Sequence, residues 1–129
     1  MSRIGQLKLK IMLFCGDQTA MGPGKAELLE AIAGHGSISG GARAMGMSYR
    51  RAWLLVDTMN RSWTKLVVET SVGGGGRGGA KLTHFGEELL KAYRALEAHL
   101  MASAADGPFE AFASEILETP RPHAPTEGA

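Results

Sequence analysis

Residues 36–62, which read GSISGGARAMGMSYRRAWLLVDTMNRS, decide the fold. Ser37 and Ser39 are candidate N-caps for a short helix that continues through Met45. Gly46 interrupts the helical pattern, although Gly40 and Gly41 already weaken it by about 1 kcal/mol each relative to alanine. The sequence therefore predicts a short helix followed by a glycine turn.

A second helix follows this turn and is predicted over residues 49–62, with Ser48 as its N-cap. Its apolar residues recur at a helical spacing and predict one buried face: Ala52, Leu55, Val56 and Met59. The other side carries Tyr49, Arg50, Trp53, Asp57 and Arg61. Two helices of this length joined by a glycine turn predict a helix-turn-helix.

Upstream, the sequence predicts one strand and one helix. Residues 6–14 alternate with a period of two and predict a strand, with one apolar face made of Leu7, Leu9, Ile11 and Leu13. Residues 25–33 predict a short helix, which ends where Gly34 and Gly36 flank His35.

Downstream, residues 66–72 predict a strand and residues 80–83 a short return strand. Six of the seven residues from 73 to 79 are glycine. This run matches a dinucleotide-binding fingerprint by letter, but it does not open a helix within a βαβ unit. The run is therefore interpreted as a floppy hairpin tip or as a wing that lies along DNA, and its position directly after the third helix favours the wing.

Thr83 is the candidate N-cap of a long helix over residues 84–104. Four of its residues are spaced like the seam of a helix that pairs with another helix: Leu89, Tyr93, Leu96 and Leu100. An amphipathic piece with Phe109, Phe112, Ile116 and Leu117 follows, and residues 119–129 are predicted to be a disordered tail.

The predicted fold class is mainly α with a small β-hairpin. It is a winged helix-turn-helix with an N-terminal strand and a long C-terminal dimerisation helix. The domain prediction has four parts. They are an N-terminal strand and turn (1–24), a DNA-binding domain (25–83), dimerisation helices (84–118) and the tail (119–129).

Composition fits one domain, because the chain has 129 residues, 44% of them hydrophobic. The net charge of +1 divides into +2 over residues 1–24, +4 over residues 25–94 and −5 over residues 95–129, which favours an anionic partner for the basic part. The sequence shows neither a signal peptide nor a membrane span, so we expect a cytoplasmic protein without a membrane partner.

An enzyme is not expected. The four histidines are scattered, Cys15 has no identifiable base, and no metal-ligand spacing is present. Met45, Met47 and Met59 are interpreted as packing residues. We therefore expect no catalytic residue, no metal site and no cofactor in this chain.

Residues 25–97 resemble the N-terminal winged-helix domain of ModE, the molybdate-dependent bacterial transcriptional regulator, which is related to LysR-type DNA-binding domains. The resemblance rests on LLEAI (28–32), GSIS (36–39), GMSYRxAW (46–53), DxMN (57–60), LVVE (66–69), the glycine wing and LTxxG (82–86).

This resemblance implies that residues 48–57 form the recognition helix and residues 73–79 the wing. It also implies a homodimer through the N-terminal strand region and the last helix. Two departures from such regulators affect function, one in the wing and one after Leu117. Thr70 follows Glu69 where such wings carry an arginine, and Arg77 is the only basic residue in the glycine run. Nothing after Leu117 could build the molybdate-binding half, so we expect a regulator without its own sensor, on which molybdate acts only indirectly.

The expected function is sequence-specific binding of double-stranded DNA, as a repressor of molybdenum-related genes. A separate effector-sensing protein is kept as a candidate partner. The candidate DNA-binding residues are Ser37, Ser39, Ser48, Tyr49, Arg50, Arg51, Trp53, Gly75, Gly76, Arg77, Gly78, Lys81 and Thr83. Trp53 could instead cover the edge of the core, and Thr83 is explained equally well as a cap. The alternative function is a protein-interaction or dimerisation module that does not bind specific DNA.

Overall fold

A computed structural model describes residues 3–72 and 78–125 of the chain. Three helices form its centre: α1 (Pro23–His35), α2 (Ile38–Ala44) and α3 (Tyr49–Ser62). Antiparallel hairpins lie before and after them, and a long helix follows. The fold class predicted from the sequence, mainly α with a winged helix-turn-helix, is confirmed.

Local side-chain chemistry sets the ends of these helices. Gly36 closes α1 in the left-handed conformation, at φ 73°, and its N–H donates to the Ile32 carbonyl at 2.8 Å. The Ser37 hydroxyl caps α2 by accepting from the Gly40 N–H at 2.9 Å. Ser48 caps α3 by accepting from the Arg51 N–H at 3.1 Å. The predicted caps at Ser37 and Ser48 are therefore confirmed, whereas the candidate cap Ser39 lies inside α2.

Close packing of α1 against α2 explains why a short helix contains two glycines. A Cβ on Gly41 would lie 2.8 Å from the Ile32 Cγ1 atom and 3.1 Å from the Ile32 backbone nitrogen. Glycine at position 41 therefore lowers the helix propensity of α2 but allows the two helices to pack closely. The core beneath them joins these three helices to the strands, and its largest fully buried side chains are Met21, Leu28, Leu29, Ile32, Met59, Val67 and Val68.

The single N-terminal strand predicted over residues 6–14 is wrong. The structure has two antiparallel hairpins instead, β1 (Arg3–Ile4) with β2 (Leu7–Lys8) and β3 (Leu13–Cys15) with β4 (Gln18–Met21). Glycine turns explain the difference. Gly5 and Gly16, which flank the predicted strand, adopt φ of 55° and 61° and turn each of its ends back onto a short partner strand, while residues 9–12 between them form no strand.

The hairpin after α3 pairs β5 (Val68–Val72) with β6 (Gly78–Leu82), with Val68 opposite Leu82 and Val72 opposite Gly78. We call this hairpin the wing. Its second strand is fixed to the helices because the Ala80 N–H donates to the Gly36 carbonyl at 2.9 Å. The strand begins at residue 68 rather than 66, and the carbonyls of Leu66 and Val67 accept from Thr83 at the start of the next helix.

The long helix α4 (His84–Ala104) begins as predicted, since the Thr83 hydroxyl accepts from the Gly86 N–H at 2.9 Å. A 3-10 turn (Gly107–Phe109) and the short helix α5 (Glu110–Ala113) follow. Residues 119–125 contain no helix or strand, and the last four residues of the predicted tail lie outside the described part. No helix within the described ranges is long and apolar enough to cross a bilayer.

Gly86 gives the sharpest test of this packing, because a Cβ there would collide with the Val67 carbonyl. We expect Gly86→Ala to lower the free energy of unfolding by about 1–3 kcal/mol, the usual cost of overpacking. The matched control is Gly34→Ala in α1, where a Cβ meets nothing within 4 Å. That variant should be neutral or up to about 1 kcal/mol more stable. Urea unfolding measures both, and equal effects would contradict the packing described.

Candidate nucleic-acid interface

Helix α3 divides into a buried and an exposed side, as the sequence predicted. Ala52, Val56 and Met59 are buried, and Leu55 is partly buried against them. The exposed side falls into a central strip and two flanks, because different neighbouring elements border it on each side. This arrangement gives α3 one anchored face and one free face, as a recognition helix requires.

The central strip of α3 consists of Arg50, Leu54, Asp57 and Arg61, which recur at intervals of four, three and four residues. Arg50 and Leu54 are exposed, and Leu54 is an apolar side chain facing solvent. The Arg61 Nε donates to the Asp57 carboxylate at 3.0 Å. Arg50 was expected in the interface, whereas Leu54 was not singled out, because its role follows only from knowing which face is free.

On one flank of α3, a cleft of about 300 Å³ separates the helices from the wing. We call it the hydroxyl groove. Its lining brings together the predicted residues Ser37, Ser39, Tyr49, Trp53 and Gly78, and it adds Thr70, Ser71, Val72 and Gly79. Its described lining residues include five hydroxyl side chains and no charged one, so this part of the groove offers hydrogen bonds rather than charge.

Trp53 lies in this groove with 46% of its surface exposed, beside Tyr49 with 56% exposed. Trp53 therefore lines the groove and does not cover the edge of the core. Thr70 and Ser71 were missed because only strand pairing brings them opposite α2. The sequence treated Thr70 as a lost arginine and not as a hydroxyl donor.

On the other flank, Arg51 lies with Lys25 of α1 around a cleft of about 200 Å³. We call it the cation cleft. Burial, and then the positive charge of Arg51, lower the pKa of the Lys25 ammonium. Arg51 was predicted as a phosphate contact. Lys25 was not, because the two residues are distant in sequence.

The remaining predicted wing residues differ in how free they are. The Lys81 ammonium lies 3.6 Å from the Glu69 carboxylate across the hairpin, and both side chains are exposed. Thr83 caps α4 and donates its hydroxyl to the Leu66 carbonyl at 2.6 Å, so the capping interpretation fits it. Gly75, Gly76 and Arg77 lie outside the described residues.

Asn60, at the end of α3, anchors the wing. Its Oδ1 atom accepts from the N–H groups of Val67 and Val68, at 2.7 and 3.0 Å. Its Nδ2 atom donates to the Val68 carbonyl at 3.0 Å. The Asn60 side chain thus makes the hydrogen bonds that a neighbouring strand would make with the beginning of β5. Its place in the pattern DxMN was noticed from the sequence, but this role was not.

Part of the predicted seam of α4 packs against its own chain. Tyr93 is only 2% exposed and its hydroxyl donates to the Ile11 carbonyl at 2.7 Å. Leu89 packs partly against the core. Burial, and then the charge of Glu97, raise the pKa of the Tyr93 hydroxyl. We therefore remove Tyr93 from the seam, because the regular spacing identified an apolar face without identifying what covers it.

Leu96 is half-buried and Leu100 is 38% exposed. Of the four predicted seam residues, these two therefore keep side-chain surface that a second protomer could contact.

An ion cluster joins α4 to α1. The Arg94 guanidinium donates to Glu30 of α1 at 2.7 Å and to Glu97 at 2.7 Å. The hydrogen bond from Glu30 is the main reason that the Arg94 pKa is raised. Glu97 is only 4% exposed, so Arg94 balances a charge that is costly to bury alone.

Metal binding finds no support in the geometry. Among the residues that the structure describes, no three His, Cys, Asp or Glu side chains are grouped so that they could hold a metal ion. Cys15 is an exposed free thiol on the hairpin of β3 and β4.

Comparison with known proteins now bears on this site. No protein-family model matches the chain. It is 41% identical over 87 residues to the DNA-binding transcriptional dual regulator ModE of Escherichia coli K12. It is 47% identical over 78 residues to the molybdenum-pterin-binding protein MopB of Rhodobacter capsulatus. ModE-type proteins are homologues of this chain. The resemblance to ModE-type regulators predicted from the sequence is therefore confirmed.

These alignments cover only part of each protein. They span 67% of this chain and 31% of ModE, and 60% of this chain and 29% of MopB. The chain thus spans about a third of the length of the ModE-type relatives it matches. The full-length LysR-type regulator LysG of Corynebacterium glutamicum has a similar structure, with a TM-score of 0.51 at 23% identity. That match covers 74% of this chain and 30% of LysG, and it supports the fold alone.

Asn60 allows a test of how the wing is held against α3. We expect Asn60→Ala to leave two backbone N–H groups unsatisfied, at about 1–3 kcal/mol for each group. Asn60→Asp keeps the acceptor and should cost less. Thr58→Ala is the control, since Thr58 makes only an exposed bond to the Leu54 carbonyl on the same helix. Urea unfolding and amide exchange of Val67 and Val68 report the result. Unchanged exchange in Asn60→Ala would contradict the anchoring role.

Proposed function

We propose that this chain is a homodimeric, sequence-specific DNA-binding transcription regulator that inserts α3 into the major groove. The observation that carries the proposal is the exposed side of α3, where a strip with two arginines lies between the hydroxyl groove and the cation cleft. The name of the E. coli relative, a DNA-binding transcriptional regulator, supports it. We assign no catalytic role.

The strip offers the chemistry that reads base edges. Arginine donates two hydrogen bonds to guanine, and an exposed apolar side chain contacts the thymine methyl group. We assign these contacts to Arg50 and Leu54. The Asp57 carboxylate orients Arg61 through their 3.0 Å ion pair, and it would repel DNA if it were unpaired.

The hydroxyl groove suits one strand of the DNA backbone. Serine, threonine and tyrosine hydroxyls commonly donate to phosphate oxygens and fix register without reading sequence. Ser39 and Tyr49 lie at its helical wall, and Thr70 and Ser71 lie at its wing wall. Arg77 and the wing glycines extend this contact. Lys81 supports it at the base of the wing.

We assign the regulated genes to molybdenum metabolism, because the named relatives are ModE and molybdenum-pterin-binding proteins. We also infer repression, since a bound dimer blocks a promoter by occupancy alone and needs no activating surface. Molybdate reaches the regulator through another domain or a separate sensing protein.

The dimer is proposed to form through α4, within residues 84–118, while residues 25–83 bind DNA. Two α3 helices related by a two-fold axis would enter major grooves about 34 Å apart, on an imperfect palindrome.

Selection from a random DNA duplex pool tests the function directly. The purified chain is used with and without molybdate, and the recovered sites are then titrated with salt. We expect an enriched palindrome whose binding weakens steeply with salt. Weak binding of every duplex without enrichment would instead favour the protein-interaction module. In that case the apolar cleft lined by Leu7, Phe109, Phe112 and Ile116 becomes the surface to test.

Two variants distinguish a contact to base edges from a contact to the DNA backbone. We expect Arg50→Ala to relax preference at particular base pairs, at about 1–3 kcal/mol of discrimination. Arg77→Ala should weaken binding to all duplexes about equally and lower the salt slope by about 0.9. Repeating the selection with both variants measures this difference. A change in base preference for Arg77→Ala would reverse the assignment.

The dimer is tested by a charge on the remaining seam. We expect Leu100→Glu to shift the chain to monomers, because it would bury a carboxylate between two apolar helix faces. Ala98→Glu is the control, since residue 98 is exposed on the opposite side of α4. Sedimentation velocity measures both. Equal dimerisation of the two variants would exclude Leu100 from the interface.

A further inference from the structure

The cation cleft on the flank of α3 away from the wing brings two like charges together. Lys25, from the first turn of α1, and Arg51, from α3, both line it. The rest of its wall is mostly apolar and includes Met12, Met47 and Leu55. Among the described residues that line the cleft, none is a carboxylate. The two cations therefore share a half-enclosed surface without an acidic residue to balance them.

This pairing is unfavourable in the protein alone. Within residues 3–72 and 78–125, neither Lys25 nor Arg51 forms an ion pair. The first turn of α1 contains no acidic residue. Partial burial, and then repulsion from Arg51, lower the pKa of Lys25. An anion placed between the two would relieve the repulsion, so the cleft has the electrostatics of an anion-binding surface.

On the basis of the proposed function, we propose that Lys25 and Arg51 together bind one phosphate of the DNA strand that the wing does not contact. The major groove is bordered by two backbones and is about 12 Å wide, so a helix in it has one strand on each side. The hydroxyl groove serves one strand. The cation cleft lies on the opposite flank of the same helix, where the second strand passes.

The same chemistry would suit a free oxyanion such as inorganic phosphate, but the lining favours a phosphodiester. Only two charged donors face the cleft and much of the remaining wall is apolar. A free dianion would keep few hydrogen bonds there. A DNA phosphate, in contrast, is presented at high effective concentration once α3 is in the groove.

The experiment uses the full chain and the duplex recovered by selection. Lys25→Met and Arg51→Met remove each charge while keeping much of the aliphatic side chain. Lys91→Met, at an exposed position of α4, is the control for net charge. Binding is followed by fluorescence anisotropy across a salt series. We expect each cleft variant to lower the salt slope by about 0.9 relative to Lys91→Met.

A second arm identifies the phosphate. Duplexes that each carry one neutral methylphosphonate are compared between the wild-type chain and the variants. We expect one position, on the strand opposite the Arg77 contact, whose neutralisation weakens the wild-type chain. That position should lose its effect in both Lys25→Met and Arg51→Met. Thermal unfolding of both variants should match or exceed the wild-type value, because a repulsion has been removed.

Three results would overturn the proposal in distinguishable ways. If Lys25→Met behaves like Lys91→Met while the wild-type chain binds tightly, Lys25 contacts no phosphate and the proposed function stands. If inorganic phosphate, at constant ionic strength, competes with DNA in the wild-type chain but not in a Lys25→Met/Arg51→Met double variant, the cleft holds a free oxyanion. If the wild-type chain enriches no duplex, the proposed function fails and this contact fails with it.

Discussion

The relation between α3, the wing and α4 depends on how Val67 is held. Its N–H donates to the Asn60 side chain at 2.7 Å, and its carbonyl accepts from the Thr83 N–H at 2.9 Å. Gly86 packs against the same carbonyl with no room for a side chain. The end of one helix, the start of the hairpin and the start of the next helix therefore meet at one peptide unit. The flanks of α3 keep a fixed distance from the wing as a result, and the hydroxyl groove is formed before any ligand arrives.

A second constraint fixes α4 relative to the DNA-binding surface. Arg94 bonds Glu30 of α1 and the buried Glu97 of its own helix, while Tyr93 bonds the Ile11 carbonyl. The bonds to Glu30 and Ile11 join α4 to the rest of the chain, and the bond to Glu97 holds Arg94 in place within α4. In the proposed dimer, the contact between two α4 helices would thus determine the separation of the two α3 helices. The spacing of DNA half-sites would then depend on an ion cluster far from the DNA.

The sequence predicted the features that depend on neighbouring residues. The caps at Ser48 and Thr83 and the extents of α3 and α4 follow from patterns within a few positions. The sequence did not predict contacts between residues that are far apart along the chain. The helical spacing of Tyr93 with its neighbours identified an apolar face of α4, but it could not show that Ile11 and the core already cover Tyr93. Asn60 resembled any polar residue at a helix end, because its partners become neighbours only when the wing folds back.

The candidate interface divides its work between charge and hydrogen bonding. In the proposed complex the hydroxyl groove would contact one strand, and because its described lining residues include no charged side chain, its hydrogen bonds to phosphate would release few counterions. Cations lie instead on the strip, at Arg50, and on the far flank, at Arg51 and Lys25. In the proposed complex, the hydroxyl groove would therefore mainly fix position, while the salt dependence would come from Arg50, Arg51 and Lys25 and from Arg77 of the wing. A wing that has Thr70 in place of an arginine is consistent with this division, because its strand supplies a hydroxyl while the charge lies across the helix.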